Sequence, residues 1–317
     1  MKTQEGFAEA FASRRLGRNA RLERVAKETK WYRFEKLLSR LKPEGAGRPP
    51  YEPLMMFRAL LLQQWYGLSD GDLEDALNDR FSFRRFLGLG LESDAPDSTT
   101  LCRFRNRLVE QDLITKLFAE FDRQLEARGL VLKEGTMLDA TLIEAATSRP
   151  RGSGNAADEI KDPDARFGKG SDEGWVYGYK AHVGVDCKSR LIRAAQVTPA
   201  NVNDTEVADA LIRFDEGAVY ADKAYAKRER REMLRARGIK DGIMHKSWGG
   251  GPKLKAWQVC CNKAIAPIRA EVETVFAVAK RRMGLARARY IGLAKNTVHF
   301  LLLAIAYNMR RAADMTA

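Results

Sequence analysis

At about Thr136 the hydrophobic period of this chain switches from helical to alternating, and few folds accommodate both halves. Before the switch, apolar residues recur at helical spacing. After it they form short strand-length blocks separated by helical stretches, the order of an α/β fold. A chain of 317 residues is long enough to bury a core in each part. We therefore expect a basic arm over 1–47, a helical part over 48–132 and an α/β part over 133–317.

The arm carries Arg14, Arg15, Arg18, Arg21, Arg24 and Lys27 ahead of a mixed helix that begins at Trp31. Glycines and consecutive prolines over 45–50 break the helical pattern. The stretch 54–66 is apolar almost all round and reads as a buried helix. Ser69 or Asp70 can cap a second helix, and Asp97 with Ser98 a third that carries Arg103, Arg105 and Arg107. Three short helices with a basic last one suit a helix-turn-helix-like bundle that contacts DNA. A packing or dimerisation unit whose arginines form a solvated face is the competing reading.

The second part opens with a strand over 136–140, followed by a polar, Gly-rich loop over 148–173 that is expected to be mobile. Strand-like runs at 175–186 and 191–198 are separated by a hairpin-length turn. Helix 204–214, strand 217–220, helix 228–238, strand 242–245 and one long helix holding Glu273 complete the order. An antiparallel meander extended by crossovers fits it.

Asp139 and Asp222 each lie in or just after an apolar strand-like run, where an isolated carboxylate is costly unless paired, protonated or metal-bound. If their strands are neighbours, both acids reach one point at the sheet edge, and a helix alongside can add Glu273. Glu271 competes with Glu273, but two residues on a helix differ by about 200° of rotation, so both cannot face one site. Three acids on two strands and a helix suit a divalent-metal site for phosphoryl transfer, in which two ions about 3.5–4 Å apart take oxygen ligands. The net charge of +13 points to nucleic acid as the source of the phosphates. Five cations in the stretch 280–289, Lys280, Arg281, Arg282, Arg287 and Arg289, can track a DNA backbone. The four cysteines form no CxxC pair, no signal peptide is visible, and no apolar run approaches 18 residues, so a cytoplasmic protein with reduced thiols and no membrane partner is expected.

These residues resemble the transposases of the IS5 family, within the IS4-like group of DDE transposases. The resemblance runs nearly end to end. Gly-Arg-Pro-Pro-Tyr-Glu-Pro with the Leu-rich helix after it, and Asp-Ser-Thr-Thr-Leu-Cys-Arg-Phe-Arg-Asn-Arg-Leu, are similar to the family's N-terminal domain. Leu-Asp139-Ala-Thr, Ala-Asp222-Lys-Ala-Tyr and Arg269-Ala-Glu-Val-Glu273-Thr-Val-Phe are similar to its three catalytic blocks. The third block sets Arg269, Glu273 and Lys280 on family positions, and Ala266 stands where the family has tyrosine, a departure that leaves the metal ligands untouched. The resemblance implies an RNase H-like catalytic domain with Asp139, Asp222 and Glu273 as catalytic metal ligands and Arg269 and Lys280 as phosphate or end-positioning contacts; Lys223, beside Asp222, reads either as a further contact or as part of a solvated face. It also implies Mg2+, replaceable by Mn2+, cleavage at the ends of a bacterial insertion sequence, and joining of the freed 3' hydroxyl to target DNA. Partners would be double-stranded DNA and a second copy of the chain on that DNA, in the nucleoid. Gly178-Tyr-Lys180-Ala-His182 resembles a further family block, in which His182 reads as a half-buried structural histidine. A nuclease on the same scaffold, and a non-catalytic DNA-binding descendant, are the alternatives.

Overall fold

The computed structural model of the protein describes residues 18–41, 51–149, 160–170, 174–247 and 253–316. Arg14, Arg15, the break over 45–50 and residues 150–159 and 171–173 of the predicted loop lie outside them. The chain divides into two compact units, residues 1–124 with 305–317, and residues 125–304.

The first unit is helical: α1 (Ala20–Glu28), α2 (Trp31–Leu38), α3 (Pro53–Tyr66), α4 (Asp70–Asp79), α5 (Phe81–Leu87), α6 (Ser98–Glu110) and most of α7 (Ile114–Ala127). Local chemistry sets its boundaries. Pro53 opens α3, and Gly67 ends it in the left-handed region at φ 66°. Ser69 and Asp72 exchange side-chain and backbone bonds in a capping box at the start of α4, and Asp97 caps α6 through the Thr100 amide. α3 buries nearly every side chain because it is apolar on all faces, and its Phe57 ring lies 5.3 Å from that of Phe34. Helices α5 and α7 go beyond the three expected in this stretch.

One expectation fails here. Arg105 does not face solvent: it is 2% exposed and donates to Asp70 at 2.5 Å. It stands one turn beyond Leu101 on the buried stripe of α6, so its guanidinium lies in the core, with Asp70 as counter-ion. Arg107 donates to the Leu41 carbonyl, and Arg103 is exposed.

The second unit is a six-stranded mixed sheet with helices: β1 (Thr136–Glu144), β2 (Arg166–Lys169), β3 (Trp175–Asp186), β4 (Ile192–Pro199), α8 (Asp204–Leu211), β5 (Ala218–Ala221), α9 (Arg228–Ala236), β6 (Lys240–Ile243), α10 (Ala256–Ala270), α11 (Val272–Arg282) and α12 (Leu293–Met315), whose end belongs to the first unit. The strand order is β2-β3-β1-β5-β6, with β4 also on β3. β1 runs antiparallel to β3 along its whole length and parallel to β5, which is parallel to β6. The meander is thus extended by two crossovers through α8 and α9, as the sequence order predicts. Leu138, Val219, Ala221 and Ile243 pack with Leu211 of α8 and Leu234 of α9 into one core under the strand ends.

Two elements differ from the sequence reading. β2 lies inside the span read as loop and pairs with the start of β3. The single long helix is two, α10 and α11, which meet at Glu271. Pro267 inside α10 has no amide hydrogen for its helical bond, which weakens the last turn before that junction. Among the described residues, no helix is long and apolar enough to cross a membrane.

Candidate active site

The pairing of β1 with β5 brings two acids to one level. Their last paired residues are Leu138 and Ala221, and Asp139 and Asp222 are the next residue on each strand. Both therefore emerge where the two parallel strands part, at the carboxyl end of β5, the place where open α/β sheets form their ligand crevices. Asp222 leaves the strand to cap the short turn Lys223–Tyr225 through the Lys223 amide, while Asp139 accepts from the Ala140 amide at 2.9 Å. Tyr225, at the end of that turn, is buried in the core beneath.

The junction of α10 and α11 delivers the third acid. Arg269 stands in the last turn of α10 and Glu273 in the first turn of α11. The Arg269 guanidinium bridges two of the three acids, 3.4 Å from Asp139 Oδ2 and 3.5 Å from Glu273 Oε1. At those lengths the contacts are ion pairs and not strong hydrogen bonds. Glu271 turns away to Arg190 in the β3–β4 turn at 2.8 Å, so the two glutamates face different partners.

Electrostatics make this a demanding place for an anion. The Asp139 side chain is only 16% exposed, and burial pushes its carboxyl up to about 6. Arg269 pulls it down, and Asp204 and Asp222 push it further up. Burial, with Asp204, Asp139 and Asp222 nearby, also raises the Tyr225 hydroxyl, which has no hydrogen-bond partner among the described residues.

Asp204 is a carboxylate that the sequence reading did not single out. It opens α8, and Lys180 donates to it at 2.9 Å and to the Val202 carbonyl at 2.9 Å. His182 is fully buried, not half-buried. Its Nε2 lies 2.9 Å from Thr198 Oγ1 and its Nδ1 lies 3.9 Å from Asp204 Oδ1. Burial lowers its pKa to about 4, so it is neutral at physiological pH. The Gly-Tyr-Lys-Ala-His run shows Lys180 and His182 sharing a face of β3, but only the folded chain brings Asp204 to them. Tyr225 had a weak signal, its place three residues after Asp222.

The expected DNA contacts fall into two groups. Lys223, Arg281, Arg282 and Arg287 are exposed. Lys280 lies two turns along α11 from Glu273, half-buried in a cleft with Leu142, Glu144 and Thr147. Arg287 donates to the carbonyls of Ala145 and Ala146 and ties the segment after β1, and Arg289 is partly buried beside Gly284.

Among the described residues, no three His, Cys, Asp or Glu side chains stand close enough together to grip a metal ion. The donor chemistry nevertheless fits a hard divalent cation. The acids offer carboxylate oxygens, and a buried carboxyl whose pKa is raised beside two further acids gains from any cation that neutralises it.

A mixed sheet of this order, preceded by helices and carrying acids where β1 and β5 part, is the RNase H-like arrangement. The chain belongs to the Transposase DDE domain family, whose model matches residues 132–309, and is thereby a DDE transposase. A second model, Transposase domain (DUF772), matches residues 11–107. No solved structure matches the chain.

Proposed function

We propose that the protein is the transposase of a bacterial insertion sequence of the IS5 type, which binds the element's terminal inverted repeats, cuts the DNA ends and joins the 3' hydroxyl to target DNA. The observation that carries this reading is the shared level of Asp139 and Asp222 at the parting of β1 and β5, with Glu273 linked to Asp139 through Arg269. In this reading Asp139, Asp222 and Glu273 hold two Mg2+ ions, or Mn2+ in their place. Bound there, the ions supply an activated water or hydroxyl and stabilise the leaving oxygen.

The chain's own residues do the rest. Arg269, between Asp139 and Glu273, is placed to follow a phosphate brought to those acids, and its planar guanidinium suits two oxygens at once. Lys280, two turns along α11 from Glu273, continues on that side of the helix, while Arg281 and Arg282 fan around its end, with Arg287 and Arg289 beyond. Lys223 adds a cation beside Asp222, and Arg103 another on α6. Lys180 neutralises Asp204 and keeps that acid's charge from adding fully to the repulsion on Asp139. In this assignment the arm 1–47 and the helical part 48–132 serve DNA binding and pairing of two copies, and 133–317 catalysis, in the nucleoid.

Asp139→Asn, Asp222→Asn and Glu273→Gln test the assignment. Each is expected to abolish cleavage while DNA affinity stays within about twofold, since none of the three is a phosphate-neutralising cation. Full cleavage activity in any one variant removes that residue from the site.

A further inference from the structure

Beyond the arginines and lysines already assigned to DNA, one groove concentrates positive charge. It lies between α9, the segment leaving β6 and the start of α10, and Lys227, Arg228, Arg231, Arg235 and Lys246 line it against one acid, Glu232. Arg228, Arg231 and Arg235 fall at i, i+3 and i+7, so α9 turns a single arginine face into it. Arg231 forms the floor, fixed by Asp241 at 2.5 Å and by the Ile243 carbonyl at 2.9 Å. Arg228 and Glu232 pair at 2.8 Å on the rim, with side chains 87% and 55% exposed, a pair too solvated to consume the charge. Lys227 and Arg235 are exposed.

Like charges gathered in a concave surface repel one another and focus the field outward, an arrangement that favours a polyanion with regularly spaced charges. The groove also has a direction. Its first cation, Lys227, follows Asp222 by way of the turn Lys223–Tyr225 and Ala226, so the groove continues from the point where the acids emerge. We propose that it is a second phosphate track, which grips the DNA backbone on the Asp222 side of the site whatever the base sequence, in addition to the cations of α11. This rests on the transposase reading above and adds a binding surface to it.

The test uses the full chain, a fluorescent random-sequence duplex of about 30 base pairs and a salt titration. Each phosphate neutralised contributes about 0.9 to the log-log salt slope of binding. Lys227→Glu/Arg235→Glu is expected to reduce the slope by about 1.8 and to weaken binding about tenfold or more near 0.1 M salt. Lys116→Glu/Lys240→Glu reverses two other exposed lysines for the same change in net charge, and is expected to leave the slope near that of the wild type. Lys227→Gln/Arg235→Gln removes the groove charges without adding acids, and should lower the slope equally. If either groove pair matches the control pair while the wild type binds DNA, the track is overturned and the transposase reading stands. A wild-type protein whose DNA binding shows no salt slope overturns the track and the phosphate contacts proposed for the α11 cations alike, while membership of the family stands.

Discussion

Burial pushes the Asp139 carboxyl up to about 6, so at pH 7 it is ionised in the folded and the unfolded chain alike, and the folded state bears the cost. The folded chain binds more protons than the unfolded one between the ordinary aspartate value and about 6, so this group's contribution to stability improves as pH falls through that window. Asp139→Asn should therefore stabilise the metal-free protein at pH 7 by up to about 3 kcal/mol, taking about 1.4 kcal/mol per pKa unit. Urea denaturation with chelator at pH 7 and pH 5 checks it, and the advantage of the variant should shrink at pH 5. The thiols give a second residue-scale prediction. Cys102, Cys260 and Cys261 are exposed, whereas burial with Asp186 nearby pushes the Cys187 thiol up to about 12. Maleimide labelling of the native protein at pH 7 should modify three cysteines rapidly and Cys187 at least about tenfold more slowly, since the thiolate is the nucleophile. Asp139 and Asp222 were legible in the sequence because a carboxylate next to an apolar run is costly without a partner. Arg105 was not, since an arginine on a helix reads as solvated until its counter-ion Asp70 comes into place 35 residues away.

The strand that carries Asp139 is held by its pairing with β3, and that pairing has a tight point at Gly178, opposite Glu144. A Cβ at Gly178 would lie 2.1 Å from the Ile143 carbonyl oxygen and 2.7 Å from the Ala145 nitrogen, both backbone atoms that cannot swing aside. Gly178→Ala should destabilise the protein by about 1–3 kcal/mol, the usual range for overpacking. The midpoint of urea unfolding reads this directly, and an unchanged midpoint would show that β1 moves to accommodate the methyl group. At this scale the sequence was most informative for β1, β3 and the crossovers through α8 and α9, where period and turn chemistry agree. It failed at β2, four residues with no apolar alternation inside a polar stretch, which take strand form because β3 offers them an edge. It also merged α10 and α11, because the helical period continues across Glu271, and the Arg190–Glu271 pair at their junction is a long-range contact no local pattern reveals.

In the molecule as a whole, a net charge of +13 sits beside a site built from acids, and the proposed function reconciles the two. The acids repel phosphate, so the surrounding cations must bring the backbone in and a divalent ion must neutralise what remains. The family, the mixed sheet and the level shared by Asp139 and Asp222 agree on a DDE transposase. The order of elements was readable from the hydrophobic period, whereas the place of Arg269 between Asp139 and Glu273 needed the fold. The most direct test of the account is a joining assay. Purified protein is incubated with Mg2+, a target plasmid and a labelled duplex made from the DNA flanking its own reading frame, beside Glu273→Gln. The account predicts labelled end joined to plasmid by the wild-type protein and no joined product from Glu273→Gln, with both binding the duplex. Joined product formed equally by Glu273→Gln, or cleavage of the duplex without any joining, would contradict it.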